Sequence, residues 1–423
     1  MVIIATTTVR DRKLIDFSLY ALSAVFAGVT ASSSTLVPHR VWGQIAFIAY
    51  GVAALLALLF LRFAGALTRP RYWLTGGTWV LVALVPMIAE AVQRASGRSD
   101  RAQEEVLVVE QAGARLLHTG SPYLARSAIA ALPPDERLLG YTPYQPGMAL
   151  FGLPRAIAGN HWWTDARVWF AVVTICALTG AFLLLRQQFP LTGLLRAGQA
   201  ATVLPLCALT LATGGDDIPV LALSLLAIAF AARWRPSDGR MPFGRTAFVD
   251  AGLAIGAAGA LKLFAWPVML VLFVLALRHG RRAALSYAAP AFGLPVLALL
   301  PALRVNADAL VENVVRFPGG QGLVTSPAQS PLPGHLIASA VPGGRTIALG
   351  LLVLAALAIL GWLVRRPPRD AADAALVSAA GLTAAIMLTP TTRFGYLLYP
   401  VAYLAAWLAI RSREPAAERT QGT

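Results

Sequence analysis

Apolar stretches of spanning or near-spanning length follow one another along almost the whole chain. They lie at about 17–37, 41–61, 73–93, 164–185, 197–212, 217–232, 248–261, 264–277, 283–303, 346–364, 371–389 and 394–410. A helix needs about 20 mostly apolar residues to cross the hydrocarbon of a bilayer. Within it every backbone N–H and C=O must be satisfied inside the segment. The pattern therefore predicts an all-α polytopic membrane protein of about 11–12 transmembrane helices. The stretch 143–158 is apolar too, but it is short and broken by Pro146 and Pro154. We read it as a juxtamembrane or re-entrant segment, because a full crossing would invert every later span.

Composition supports the pattern. Hydrophobic residues make up 57% of the chain and charged residues 13%, against about 25% charged in soluble domains. The net charge of +15 lies mostly in short arginine clusters between apolar segments, as the positive-inside rule gives. Nucleic acid is not an expected partner, since no continuous basic face with stacking aromatics is present. Arg10, Arg12 and Lys13 precede the first span, and Arg411 and Arg413 close the last. Both termini are expected to be cytoplasmic in a multi-pass plasma-membrane protein whose first span is retained. The expected organisation is a two-span segment at 1–72, a core at 73–303 with an outer loop at 94–163, a second outer loop at 304–345, C-terminal spans at 346–411 and a disordered tail at 412–423. Within the first loop, Val106, Val109, Ala112, Gly113, Leu116 and Leu117 have helical spacing, which predicts a helix lying at the interface.

With that topology, ionisable residues from separated segments collect at the outer side: Glu104 and Glu105, Asp216 and Asp217, Lys262, and Arg393. Such groups at membrane depth are costly and tend to be paired or functional. Each has a plainer reading. An aspartate after Gly214-Gly215 caps a helix, a lysine snorkels, and an arginine anchors at headgroups. Lys262 stands out because the only other lysine is Lys13. Cys176 and Cys207 fall in apolar segments and read as buried small hydrophobes. The scattered histidines lack metal-ligand spacing.

Gly120-Ser121-Pro122-Tyr123, after an acidic helical stretch, resembles the "D-L-x-V-Y … G-x-P-Y" segment of GT-C type membrane glycosyltransferases. The nearest resemblance is to glycosyltransferase family 87, the polyprenyl-phosphate-sugar-dependent mannosyl- and arabinosyltransferases of actinobacteria. Tyr141-Thr142-Pro143-Tyr144 is similar to its "Y-x-P" element. Ala251-Gly252-Leu253 through Lys262 and Pro267 resembles its "G-L-x-x-G-x-A-x-x-x-K-x-x-P" span, and Thr389-Pro390 through Tyr396 its late "S-P … Y" element. The resemblance covers about residues 75–410. It implies a GT-C-like bundle with outer-face loops and juxtamembrane helices. The implied activity moves mannose or arabinose from a polyprenyl-phosphate donor to a lipid or glycan acceptor. It implies Lys262 and Arg393 at the donor phosphate, and Tyr123, Tyr141, Tyr144 and Tyr396 at substrate. The family's loop aspartate falls on Glu105, and its tyrosine four residues later is Val109 here. Glu104, Asp216 and Asp217 are the rival bases. No obligatory cofactor is implied, and a divalent ion at Asp216-Asp217 is left open. A lipid or solute transporter and a catalytically inactive scaffold of the same fold are the alternative functions.

Overall fold

The computed structural model describes residues 8–63, 65–233 and 243–412. The expected disordered tail lies outside the described residues from residue 413 onward. The main helices are α1 (Val9–Ser33), α2 (Val37–Phe60), α3 (Thr68–Ala95), α4 (Glu104–Thr119), α5 (Ala166–Leu185), α6 (Leu191–Ala201) and α7 (Pro205–Thr213). They continue as α8 (Asp217–Ala232), α9 (Phe243–Leu261), α10 (Ala265–Arg278), α11 (Arg281–Val311), α12 (Gly344–Arg365), α13 (Ala371–Leu388) and α14 (Leu398–Arg411). Among the described residues there is no strand, only an isolated bridge between Gln329 and Thr392.

Among the described residues eight helices are long and apolar enough to cross a membrane, and α6 with α7 makes a pair bent by 46° that passes the same length and composition test only when taken together. α8, most of α9 and α10 are shorter apolar helices. These are the apolar segments expected from the sequence. Two helices outrun their apolar stretches. α1 begins at Val9 because Thr8 and Asp11 form a capping box ahead of it. α11 runs on through Arg304 and Asp308, with a kink at Asn306, so the outer segment expected from residue 304 opens as helix. Hydropathy marks the part of a helix inside hydrocarbon, not its ends.

Two spans are broken by proline, and side chains of α2 satisfy the freed carbonyls. Pro86 has no N–H for the Val82 carbonyl, and residues Val80–Leu84 form a π turn. The Trp42 indole donates to that carbonyl at 2.7 Å. At the break before Pro205, the Tyr50 hydroxyl donates to the Val203 carbonyl at 2.6 Å. α9 and α11 meet on glycine: a Cβ at Gly252 would lie 2.4 Å from the Tyr287 carbonyl oxygen, and one at Gly256 2.4 Å from that of Pro290.

The spans run alternately up and down, so the turns after α1, α7, α9 and α13 share one end with α4. At the opposite end Asp16 pairs with Arg71 and Arg196, and Tyr72 donates to the Leu191 carbonyl at 2.7 Å. Residues 143–158 hold no helix long and apolar enough to cross a membrane. Pro146–Gly152 is a 3₁₀ turn and Leu153–Ala158 a short helix. Gly152 fits so closely under α4 that a Cβ there would lie 2.2 Å from the Val109 carbonyl oxygen.

A buried ion network fixes α4 in place. Arg94 of α3 makes a two-pronged contact with Glu110 of α4, at 2.8 and 2.6 Å, and reaches Asp165 at 2.9 Å. Arg167 joins Asp165 to Glu90, each at 2.9 Å, and Arg155 reaches Glu110 at 3.1 Å. Three acids face three arginines, so no charge is left uncompensated away from water.

Candidate active site

The turn between α7 and α8 begins the site. Gly215 has φ +83°, a conformation that suits glycine, and a Cβ there would press on Phe170 at 2.9 Å. The tight turn leaves Asp216 and Asp217 side by side and buried, 3% and 6% exposed. Across from them, the turn between α9 and α10 presents Lys262, 7% exposed. Its Nζ lies 2.9 Å from Asp216 Oδ2 and 2.7 Å from Asp217 Oδ1. Tyr399 of α14 donates its hydroxyl to Asp217 Oδ1 at 2.7 Å.

Aromatic rings enclose the ammonium. Nζ stands 5.3 Å from the Tyr144 ring centre, 5.4 Å from that of Tyr396 and 5.9 Å from that of Phe264. Phe264 stacks on Tyr399 with centroids 5.2 Å apart. Burial works against the lysine charge, and Asp216 and then Asp217 outweigh it, so the Lys262 pKa lies above its ordinary value.

The first turn of α4 forms the other wall. The Gln103 backbone N–H donates to the Thr213 carbonyl at 3.1 Å, which holds the start of α4 against the end of α7. Glu105 is ion-paired with Arg393, which stands just before the Phe394–Leu397 turn leading into α14. Glu104 is exposed beside them and has no ion-pair or hydrogen-bond partner among the described residues. Partial burial and then the neighbouring Glu105 raise its carboxyl above the ordinary glutamate value. Arg393 is held by a strap: Ser330 N–H donates to the Thr392 carbonyl and Thr392 N–H to the Ala328 carbonyl, both at 2.9 Å.

Eight of the ten sequence-derived residues thus meet at one end of the bundle. They are Glu104, Glu105, Asp216, Asp217, Lys262, Arg393, Tyr144 and Tyr396. Tyr123 and Tyr141 do not join them. Tyr123 is buried against Ala302, Ala309 and Leu310, and its hydroxyl donates to the Tyr144 carbonyl at 2.7 Å. Tyr141 stacks on Phe317 at 4.1 Å and donates to Glu312 Oε1 at 2.8 Å. Both tyrosines support the site from behind. Residues 141–145 are irregular, with Tyr141 extended, and side chains three apart on extended backbone point to opposite sides. Tyr141 and Tyr144 part in that way.

Sequence reasoning did not single out Tyr399, Phe264 or the Glu90–Arg167 network. Tyr396, Tyr399 and Tyr403 form a helical stripe whose plain reading is core, so only the partner Asp217 marks Tyr399. Glu90 did carry a signal, an acid inside a spanning segment. Among the described residues no group of three or more His, Cys, Asp and Glu side chains is arranged to hold a metal. The Lys262 ammonium lies between the two aspartates.

Residues 141–390 match the family described as Glycosyltransferase family 87. Among solved structures, ArnT from Cupriavidus metallidurans in the apo state is similar, with 15% identity and a TM-score of 0.49, over 81% of this chain and 60% of that one. The same protein bound to undecaprenyl phosphate matches with 15% identity and a TM-score of 0.49, over 79% of this chain and 60% of that one. The chain therefore spans about 60% of the length of that protein. No curated protein matches it at a significant level.

Proposed function

The chain belongs to glycosyltransferase family 87, and we propose that it transfers a sugar, mannose or arabinose, from a polyprenyl-phosphate carrier to a hydroxyl of a lipid or glycan acceptor. One observation carries the reading. Two cations and four carboxylates, brought by four separate segments, converge at one end of an apolar helix bundle. That is where a lipid phosphate at the headgroup level would meet them, with its prenyl tail in the apolar surface between spans. Glycosyl transfer there has two needs. The acceptor hydroxyl must lose its proton to a base, and the departing lipid phosphate gains charge that a fixed cation stabilises.

We assign the base to Glu105 and the phosphate contacts to Arg393 and Lys262. Before donor binds, Arg393 neutralises Glu105. A phosphate that takes Arg393 leaves the Glu105 carboxylate free to accept the acceptor proton. Asp216 and Asp217 keep Lys262 charged and aimed between Tyr144 and Tyr396. No metal step is part of this scheme. The test is a transfer assay with purified full-length protein, radiolabelled polyprenyl-phosphate mannose or arabinose, and extracted envelope lipids as acceptor. Label moving into the lipid fraction is the expected result. Release of the sugar to water alone, or no turnover with either donor, would sink the reading.

In the same reading the site lies at the outer face of the plasma membrane, with both termini inside. Single cysteines would be introduced at Ser127, exposed at the site end, and at Arg366 at the opposite end, after removal of Cys176 and Cys207. In intact cells an impermeant maleimide is expected to label position 127 and spare 366. The reverse labelling would invert the topology.

A further inference from the structure

The end of the bundle opposite the catalytic cluster holds a second concentration of charge. α10 ends at Arg278 and α12 at Arg365. The turn Arg366-Pro367-Pro368-Arg369 then leads toward α13. Together these residues wall a cavity of about 600 Å³. The two prolines fix their own φ and stiffen the turn, so the arginines on either side of them keep their places. The guanidinium groups of Arg278, Arg365, Arg366 and Arg369 have no ion-pair partner among the described residues. Arg369 offers only its backbone N–H to Asp373 Oδ2, at 3.1 Å. Asp373 is the one acid on the wall, and its Oδ1 is held by Arg411 at 2.8 Å.

Four unpaired cations around one cavity repel one another, and an anion that enters relieves the repulsion. Planar guanidinium forks match the oxygens of a phosphate. The surroundings say which phosphate. α12 ends at Arg365, so the arginines stand where a span leaves the hydrocarbon. On the face of α12 that carries the cavity-lining Trp362 and Arg365, Leu351 and Leu354 lie further along the helix and are 36% and 63% exposed. That is an apolar track an acyl chain can follow, and a free phosphate has no use for it. Trp362, also on the wall, is a residue type that settles at the headgroup level.

We propose that this cavity binds the phosphate headgroup of an anionic membrane lipid, in the leaflet opposite the catalytic cluster. The lipid closes a cationic gap between α10, α12 and α13.

The test uses full-length protein in nanodiscs of equal parts phosphatidylglycerol and phosphatidylcholine, released into detergent and read by native mass spectrometry. The wild type is expected to retain phosphatidylglycerol in preference. R365A/R366A/R369A is expected to lose that retention by about 10-fold, the effect of removing charge-assisted contacts. R62A/R69A/R186A removes three arginines outside the cavity wall and should retain lipid as the wild type does. Equal loss in both triple variants overturns the proposal in favour of a general surface-charge effect, and loss in neither overturns it outright. Displacement of the lipid by millimolar inorganic phosphate also overturns it, because the site then recognises phosphate without the acyl chains. Should the first triple variant fail to fold, R278A is read instead. It leaves the proline turn intact and is expected to lose about 3-fold; unchanged retention in folded R278A likewise overturns the proposal.

Discussion

Replacing Lys262 with alanine is expected to abolish transfer and to lower stability at the same time. Without the ammonium, Asp216 and Asp217 face each other buried and uncompensated. Leaving one side of a buried ion pair typically costs about 3–5 kcal/mol. Transfer should fall by about 10²-fold or more through lost charge stabilisation, and the yield of folded protein should drop too. The two effects can be separated. In D216N/D217N/K262M no buried charge remains at these two turns, and the amide oxygen that replaces the Asp217 carboxylate can still accept from Tyr399. Thermal unfolding in detergent should recover toward the wild type, because a neutral replacement of a buried ion cluster is often tolerated. Transfer should stay lost. Wild-type turnover in that variant would reduce Lys262 to a structural ion-pair partner. Lys262→Arg is expected to be partly active, since a planar fork replaces a compact charge between aromatic rings.

Glu105→Gln is expected to reduce transfer by about 10²- to 10⁴-fold, the usual range for loss of a general base. The amide oxygen can still accept from Arg393, so the melting temperature should change little. Binding of the lipid donor should survive, or even tighten as the competing carboxylate is removed. Glu104→Gln, about 100° around the same helix, should be much milder. The variants belong in one assay with Asp216→Asn and Asp217→Asn, each scored for donor binding and for turnover. If Glu104→Gln is dead while Glu105→Gln turns over normally, the unpaired carboxylate is the base. If one of the aspartate variants alone is dead, the base lies on the α7–α8 turn and the alignment of the loop motif is wrong.

The membrane architecture was legible in the sequence because hydrocarbon imposes a strong rule on backbone and composition. The convergence of Lys262 with Asp216 and Asp217, and of Glu105 with Arg393, followed from topology alone. Turns that share an end of a bundle bring their charged residues near one another. What topology cannot supply is the side to which a ring turns. Tyr141 and Tyr144 sit in the same short motif, yet one braces Glu312 and the other faces Lys262. Nor does hydropathy show that Glu110 belongs to a six-member ion network, because its partners Arg94 and Arg155, and Asp165 on the far side of Arg94, lie on other elements. Tyr399 reads as a core aromatic until its hydroxyl is seen on Asp217.

The two proline breaks have a consequence for how the chain can be divided. Trp42 and Tyr50 lie about two turns apart on α2, and each quiets a carbonyl left free at a break beside a proline: Val82 because Pro86 has no N–H, and Val203 because the Cys207 N–H turns to the Leu204 carbonyl. Within hydrocarbon there is no water to do this, and an unsatisfied carbonyl costs several kcal/mol. The residues matched by the family, 141–390, include the α6–α7 break but not α2. A fragment trimmed to the family's borders would carry the Val203 carbonyl into the bilayer bare. The second span therefore belongs to the same packed unit as the interrupted helices, and the unit of assembly is wider than the unit of kinship.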